Sequence, residues 1–418
     1  MPPHRLRGIP RGRILTIGAL MVLAAVTVLA GALVGAQTER TPGPAAGSEG
    51  GGLGAREPGR SSFLAQMIPP PAEQPEASAE KPSSVEELVS RLPLERKVAQ
   101  LFLLGFEGDD KRSPLFEDLE DRDIGGVVFS ERNYRKPKQI EQLTSEIAAT
   151  AKSERHVATL LLARQAGGDE SAFADLPPKL PPARIKSADE AGRIMRMTAE
   201  VLEGIGLDGV LGPTIDIGAV GGPIGEAAFS DDVEQVVLYA RAVVEAAEKA
   251  GIVSAPGRFP GLGAASQEPD RGPATVGLGL DELKLRDLLP FQAAIEVGAP
   301  AIVVGPGTYA SDDFVTPASQ SQELMVGLLR DELGFEGVAI AENLSSPAIT
   351  SLGSIPDAAV ASLIAGADML EIAGPRGDQE AAYIAVLNAA RRGAIPRERI
   401  DQALLRVLRL KRSVGLVK

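Results

Sequence analysis

The sequence contains no cysteine, which excludes disulfides, thiol nucleophiles and thiolate metal ligands. Its two histidines, His4 and His156, are too few for a zinc site built from several imidazoles. Tryptophan is absent and aromatic residues make up only 4%, so the core must consist mainly of aliphatic side chains. The formal net charge is −13, whereas proteins that bind nucleic acids carry a basic surface. We therefore expect no metal, no cofactor and no nucleic-acid partner.

The N-terminus carries a basic flank and then an uncharged apolar run over Ile14–Ala36; the basic residues are Arg5, Arg7, Arg11 and Arg13. Signal-peptide cores span about 7–15 residues, whereas a membrane-spanning helix needs about 20. We therefore predict a signal-anchor over residues 1–36, with one transmembrane helix and the rest of the chain outside the cytoplasmic membrane. The alternative is secretion after cleavage, because the run ends in the small residues Val34, Gly35 and Ala36.

Residues 37–84 are rich in glycine, proline, alanine, serine and glutamate, and include a run of three glycines and a run of three prolines. A segment of this composition cannot bury enough apolar surface to order itself. We predict a flexible, disordered linker between the anchor and the folded part.

The folded part is predicted over residues 85–418, where short apolar runs alternate with amphipathic helical patterns. The strand candidates are Leu101–Phe106, Gly126–Ser130, Thr159–Ala163, Val210–Ile217, Ile252–Ala255, Ala301–Gly305, Val338–Ala341 and Met369–Ile372. Strands as apolar as these are typical of a parallel sheet covered on both faces. Eight such units predict an α/β fold, a (β/α)₈ TIM-like barrel, with an open doubly wound sheet as the alternative.

Function in such a barrel is located at the C-terminal ends of the strands. Glu342 follows the seventh predicted strand, where a carboxylate can act as nucleophile or base, or can pair with an arginine on the rim. Asp216, at the end of the fourth strand, is expected to contact a ligand or to cap its loop. Arg164 and Arg258 follow the third and fifth strands, and either could bind an acidic group or form an internal ion pair. His156 precedes the third strand, at the end opposite to catalysis.

Several segments together resemble glycoside hydrolase family 3, and in particular bacterial β-N-acetylhexosaminidases. They lie in the order typical of the family and include Leu94–Phe102, Ile124–Val128, Gly212–Ile217, Phe259–Gly261, Leu328–Gly337 and Gly366–Leu370. The resemblance covers the folded part from about Val85 to Lys418, and it implies a (β/α)₈ barrel and an O-glycosyl hydrolase ancestry.

The resemblance also shows which catalytic groups have changed. The family's nucleophile is an aspartate where this chain has Glu342, and one extra methylene moves the carboxylate by about 1 Å, which can cost on the order of 10²-fold in rate. The family's acid is a histidine paired with an aspartate, at positions occupied here by Leu262 and Ala264. Loss of a general acid typically costs about 10²–10⁴-fold.

Most of the sugar-binding groups that the resemblance implies are also replaced. Gly257 and Arg258 stand where the family has a Lys-His pair, and Ala227 and Pro306 stand where it has an arginine and a histidine. The family's Asp-Gln-Glu-Gly-Gly-Arg motif aligns with residues 164–169, in which Gln165 is kept. Gln165, Asp216, Arg164 and Arg258 are the substrate-binding candidates.

Two functional hypotheses follow, so enzymatic activity stays open. The first is a catalytically impaired barrel at the cell envelope that binds peptidoglycan, another β-linked glycan or an envelope protein. The second is a retaining β-glycosidase with Glu342 as nucleophile and Glu226, Glu268 or Asp270 as a substitute acid, which requires carboxyl groups about 5–5.5 Å apart. A metal-dependent hydrolase is disfavoured because the predicted mouth lacks ligands.

Overall fold

The computed structural model describes residues 84–218 and 221–418. The predicted anchor and nearly all of the predicted linker lie outside these residues. Within them, no helix combines the length and the apolar character that crossing a membrane requires.

Eight parallel strands form the centre of the fold, and their residues are almost all buried. They are β1 (Phe102–Gly105), β2 (Gly126–Phe129), β3 (Leu160–Ala163), β4 (Gly209–Thr214), β5 (Val253–Gly257), β6 (Ala301–Val304), β7 (Val338–Ala341) and β8 (Met369–Ile372). Each strand pairs in parallel with its neighbour in the chain, except that β5 and β6 are the two ends of the strand order, and β1 also pairs with β8. The eight predicted strands are therefore confirmed, most of them within one to three residues at their ends.

The barrel closes between β5 and β6 through a single residue, Phe259, which lies two positions after the end of β5. The Phe259 amide donates to the Val303 carbonyl at 2.9 Å, and the Phe259 carbonyl accepts from the Gly305 amide at 2.9 Å. This bridge joins the two ends of the strand order, which gives a nearly closed TIM-like barrel. A second, two-stranded sheet pairs Thr275–Val276 with Thr308–Tyr309, above the same seam.

Helices surround the barrel. They are α1 (Ser84–Arg91), α2 (Leu94–Ala99), α3 (Leu115–Asp121), α4 (Pro137–Ser153), α5 (Ala188–Gly204), α6 (Val233–Lys249), α7 (Leu280–Leu285), α8 (Leu289–Glu296), α9 (Pro347–Thr350), α10 (Ile355–Ala365), α11 (Arg376–Arg391) and α12 (Arg397–Ser413), with a π-helix over Glu323–Glu332. Several start at side-chain caps; the Ser187 hydroxyl, for example, accepts the Glu190 amide ahead of α5. The helical pattern over Leu280–Val297 in the sequence predicts one helix. The structure has two, α7 and α8, because Pro290 has no amide hydrogen and clashes with the carbonyl four residues earlier.

The N-terminal end of the barrel is held by buried charges that have partners. The Asp368 carboxylate, just before β8, contacts Arg330 at 2.6 Å, Arg399 at 2.9 Å and Arg406 at 3.2 Å. The Lys411 ammonium is fully buried and donates to the Gln100 side chain and to the Ala158 carbonyl. Charged groups removed from water must be paired or hydrogen-bonded, and here they are.

Another carboxylate at this end is equally well bonded. Asp123, before β2, accepts from Arg96, from the Gln100 amide group and from the Val157 backbone amide. His156 also lies at this end, where its ring Nδ1 is 3.1 Å from the Leu119 carbonyl oxygen. Its position before β3 agrees with the sequence prediction and keeps it away from the opposite mouth.

Candidate functional site

A cavity of about 100 Å³ opens at the C-terminal ends of the strands. It lies over β3 to β7, and its lining is contributed by the loops that follow these strands. The charged and polar residues in the lining are Arg164, Thr214, Arg258, Glu268, Asp270 and Glu342. The structure therefore brings together three of the five residues singled out from the sequence as site candidates, namely Arg164, Arg258 and Glu342.

Glu342 lies in the wall of this cavity, directly after β7. Its backbone amide donates to the Val304 carbonyl at 3.0 Å, which fixes the residue against β6. The side chain is 13% exposed, and its Oε1 is 3.9 Å from Arg164 Nη1. Among the described residues, buried Oε2 has no hydrogen-bond partner. A carboxylate oxygen left in this state is costly, because water has been removed and no donor replaces it.

The protonation of Glu342 follows from this environment. Burial raises its pKa to about 7, opposed by Arg258 and Arg164 and assisted by the negative charges of Glu371 and Asp216. A glycosidase nucleophile must be ionised to attack, whereas this group holds a proton over much of the acidic range.

Arg164, at the end of β3, has a buried partner that sequence reasoning missed. Its Nη2 lies 2.6 Å and 2.7 Å from the two carboxylate oxygens of Glu371, which is on β8 and fully buried. Glu371 Oε2 also accepts the Asn343 amide at 3.1 Å, so it fixes the loop after β7 as well. The signal in the sequence is a single charged residue within the apolar strand Met369–Ile372, since a carboxylate there must have a partner.

Asp216 does not line the cavity; it lies fully buried behind the loop that follows β5. Its Oδ1 accepts the amides of Leu262 at 3.0 Å and Arg258 at 3.3 Å, and its Oδ2 is 3.4 Å from Arg258 Nε. Burial raises the pKa of Asp216, and Arg258 together with the two amides opposes that shift. Asp216 therefore orients Arg258 and the loop, which corresponds to the capping alternative rather than to direct contact with a ligand.

Gln165, the polar residue retained from the family motif, is used within its own loop. Its Nε2 donates to the carbonyls of Phe173, Leu176 and Pro177, and its Oε1 accepts the Phe173 amide at 2.9 Å. It is buried and does not line the cavity. Its retention is therefore explained by the shape of the loop after β3.

The positions that would hold the family's acid are apolar in the folded structure too. Leu262 is fully buried, and Ala264 is partly buried in the same loop. Further along, Glu268 and Asp270 do reach the cavity, and Glu268 is 3.4 Å from Arg271. Glu226 does not line it and instead pairs with Arg184 at 3.3 Å. Of the three substitute acids considered, two therefore share a cavity with Glu342.

A cluster of histidine, aspartate or glutamate residues able to hold a metal ion is not found within residues 84–218 and 221–418.

The model of the glycosyl hydrolase family 3 N-terminal domain matches residues 93–410, which is well over half of the chain. The chain belongs to glycosyl hydrolase family 3. This match covers all eight strands of the barrel and confirms the resemblance found in the sequence.

Individual relatives and solved structures show the same relationship. A β-hexosaminidase of Stenotrophomonas maltophilia (strain K279a) is 29% identical over 293 residues, which are 68% of this chain and 86% of that protein. The structure of a family 3 β-N-acetylglucosaminidase from Paenibacillus sp. str. FPU-7 matches with a TM-score of 0.73 and 27% identity, over 78% of this chain. The match spans 63% of the Paenibacillus chain, less than two thirds of it.

A shorter family 3 structure is matched over almost its whole length. The family 3 glycosyl hydrolase from Mycobacterium smegmatis str. MC2 155 has a TM-score of 0.68 at 26% identity, and the match spans 98% of that chain and 77% of this one. In sequence and fold the barrel is thus a hexosaminidase-like member of family 3.

Proposed function

We propose that this family 3 barrel binds a β-linked glycan, such as peptidoglycan, in its mouth at the cell envelope, with hydrolysis reduced or lost. The observation that carries the proposal is Leu262. It occupies the position of the family's proton donor, it is fully buried, and its amide is held by Asp216. A loop fixed in this way presents no ionisable group to a glycosidic oxygen at this position.

The state of Glu342 supports the same proposal. Its carboxyl group is displaced from the family's aspartate by one methylene, has an oxygen without a partner in the described residues, and has a pKa of about 7. Misplacement by about 1 Å and loss of the acid each cost on the order of 10²-fold or more. Together these changes predict turnover at least about 10⁴-fold below that of an intact relative.

Retaining hydrolysis is the second candidate, and a specific observation favours it. Glu268 and Asp270 line the same cavity as Glu342, so two further carboxyl groups are available near the nucleophile position. In this alternative, Glu342 attacks the anomeric carbon and one of the other two protonates the leaving group.

One assay distinguishes the two candidates. The full-length protein is incubated with 4-nitrophenyl N-acetyl-β-glucosaminide and 4-nitrophenyl β-glucoside, beside the Stenotrophomonas β-hexosaminidase as reference. Glu342→Gln is the test variant, and Glu226→Gln, which changes an acid outside the cavity, is its matched control. The proposal of reduced hydrolysis is contradicted if the wild type turns over within about 10²-fold of the reference. In that case Glu342→Gln should abolish the turnover and Glu226→Gln should preserve it.

Binding is measured in parallel, by retention of the protein on insoluble peptidoglycan and by titration with soluble fragments. We expect retention without turnover. If the protein is retained by a cell-envelope protein and by no glycan, the glycan proposal is wrong and the ligand is that protein.

The envelope location is part of the proposal and rests on the basic flank and apolar run within residues 1–36. We propose a single-pass anchor with the barrel on the extracytoplasmic side; the alternative is secretion after cleavage. Protease added to intact spheroplasts should degrade the barrel, and sedimentation with membranes separates an anchored from a secreted protein. A barrel that is protected until the membrane is lysed contradicts export.

A further inference from the structure

A second cavity, of about 380 Å³, opens at the same end of the barrel, over the ends of β1 and β8. Its walls are the loops that follow these two strands together with the starts of α3 and α11, and we call it the β1–β8 cavity. In the described part of the chain it shares no lining residue with the mouth cavity. Its volume lies within the range of about 300–1,000 Å³ that is typical of small-molecule sites.

A buried amide in the wall of the β1–β8 cavity has hydrogen-bonding capacity left over. Gln379, on the first turn of α11, is only 7% exposed. Its Nε2 donates to the carbonyls of Gly105 at 2.7 Å, Ile372 at 3.0 Å and Gly374 at 3.1 Å, which hold the nitrogen against the ends of the two strands. Its Oε1 accepts no hydrogen bond from the described residues and, unlike Glu342 Oε2, is not sealed from solvent. Because the amide oxygen points away from the amide nitrogen, Oε1 is directed to the cavity that Gln379 lines.

The charged side chains of this lining form two ion pairs, whose formal charges cancel. The pairs are Arg132–Glu107 at 3.1 Å, on the surface, and Arg376–Asp118 at 3.0 Å, with the aspartate buried. Their further partners, Glu117 on Arg376 and Arg122 beside Asp118, cancel as well. Each pair places hydrogen-bond donors next to acceptors, which suits a hydroxyl group because it both donates and accepts. A ligand with a net charge gains little from a lining of zero net charge.

The rest of the lining is mostly apolar, and it includes an aromatic ring. Phe106, directly after β1, is half-buried; its ring meets the Phe129 ring edge-on, with centroids 5.2 Å apart, and its carbonyl accepts from Asn133 Nδ2 at 3.0 Å. The other apolar lining residues are Pro114, Leu115, Ala373 and Pro375. A fixed ring beside polar groups matches a ligand with an apolar face and a polar edge. A pyranose has this form, with C–H groups on its faces and hydroxyl groups around its edge.

We propose that the β1–β8 cavity is a second carbohydrate-binding site, which takes a neutral pyranose ring with one hydroxyl donating to Gln379 Oε1 and one face against Phe106. The hydroxyl supplies the donor that Oε1 lacks, and further hydroxyls bond to the members of the two ion pairs. The inference does not rest on the proposed function, because the two cavities are lined by different residues. A sugar acid or a phosphate would bring a negative charge that this lining does not compensate.

The test is calorimetric titration of the full-length protein with methyl β-glucopyranoside, and separately with methyl β-glucuronide and inorganic phosphate. We expect the neutral glucoside to bind at least about 5-fold more tightly than either anion. Analogues in which one hydroxyl is replaced by hydrogen or by fluorine test the contact with Gln379 without altering the protein. At one ring position both replacements should weaken binding by about 2–10-fold, because neither substituent can donate a hydrogen bond.

Two variants test the location of the sugar. Arg132→Gln changes an exposed lining residue and should weaken binding of the glucoside by about 2–10-fold, the effect of a single hydrogen bond. Arg135→Gln is the matched control, because Arg135 is equally exposed, pairs with Asp109 and lies outside the lining; it should leave binding unchanged. Phe106→Ala should weaken binding by about 10-fold through lost apolar contact, and circular dichroism checks that it is folded.

The outcomes separate this inference from the proposed function. Wild-type affinity for the glucoside in both Arg132→Gln and Phe106→Ala overturns the inference. If Glu342→Gln loses the binding instead, the sugar lies in the mouth, which supports the proposed function alone. Tighter binding of the glucuronide or of phosphate overturns the assignment of a neutral ligand. If the wild type does not bind the glucoside, the inference fails, while retention on peptidoglycan still tests the mouth independently.

Discussion

The two ends of the barrel treat buried charge in opposite ways. At the N-terminal end, Asp368 is held by three arginines and Asp123 by a guanidinium, a side-chain amide and a backbone amide. At the mouth, Glu342 retains an oxygen without a donor in the described residues, and so does Asp287 behind the β5 loop, on both of its oxygens. Asp368 and Asp123 are thus held by several donors each, whereas Glu342 and Asp287 have carboxyl oxygens that no donor in the described residues reaches.

This difference indicates which end of the barrel stabilises the fold and which end is the candidate for binding a ligand. Both ends contain buried carboxyl groups, so burial alone does not distinguish them, and the difference lies in the hydrogen-bond donors around those groups. A carboxylate that is buried without partners weakens the fold unless something else compensates it, which is why the mouth, and not the base, is the candidate for binding.

The largest expected effect is at the base. Asp368→Ala leaves Arg330, Arg399 and Arg406 close together without their shared carboxylate, and loss of one member of a buried ion cluster costs about 3–5 kcal/mol. Urea denaturation measures the change in the free energy of unfolding. Asp121→Ala, at an exposed acid, is the control and should change it by less than about 0.5 kcal/mol. A cost below about 1 kcal/mol for Asp368→Ala would break the contrast between the ends.

The next effect has the opposite sign and lies in the mouth. The pKa of Glu342 is about 7 in the folded protein against an ordinary value of 4.5, so folding takes up a proton between these values. This carboxyl therefore makes stability highest below about pH 4.5 and lower as the pH rises through 7. Glu342→Gln should match the wild type near pH 4.5 and exceed it by about 3 kcal/mol at pH 8.

Denaturation of both proteins across this pH range measures the difference, and Glu226→Gln should show no comparable trend. A Glu342→Gln variant that is less stable than the wild type at pH 8 would mean that the carboxylate is well compensated. The mouth would then resemble the base.

The smallest effect concerns Asp287, whose carboxyl lies behind the β5 loop. Burial raises its pKa to about 6, opposed by Arg286 and assisted by Asp216, against an ordinary value of 3.8. The protonated carboxyl is therefore the form that favours folding. Its contribution to the free energy of unfolding is lost as the pH rises from about 4 through 6. Asp287→Asn should stabilise the protein by up to about 3 kcal/mol at pH 8, slightly less than Glu342→Gln, and change little at pH 4, in the same denaturation assay. A destabilisation at pH 8 would show that the nearby Arg286, 3.8 Å from Asp287 Oδ2, compensates the buried carboxylate.

The architecture was largely accessible from the sequence because it depends on repeated local patterns. Apolar runs such as Leu160–Ala163 and Val338–Ala341 must be covered on both faces, and eight of them in alternation with helices lead to a barrel. The helix split at Pro290 was missed because the apolar pattern continues across it, although the proline itself carried the signal.

The candidate site was only partly accessible, because pairing across the barrel is a long-range property. The sequence located Arg164, Arg258 and Glu342 at strand ends, and it gave an internal ion pair as one alternative for each arginine. It could not assign Glu371 to Arg164, since 207 residues separate them in the chain. Nor could it show that Gln165 is used by carbonyl groups of its own loop.

The segment that closes the barrel also sets how reversible the loss of the acid is. Phe259 forms the seam, and three residues later Leu262 packs against the segment that follows β6, so tightly that a methyl group built on Gly307 would come within 2.5 Å of it. A histidine introduced at position 262 would have to occupy this dry, filled space before it could reach a substrate. Under the proposed loss of hydrolysis, a histidine at position 262 would restore the acid only together with a new packing of the seam, so we expect the single substitution Leu262→His to be insufficient.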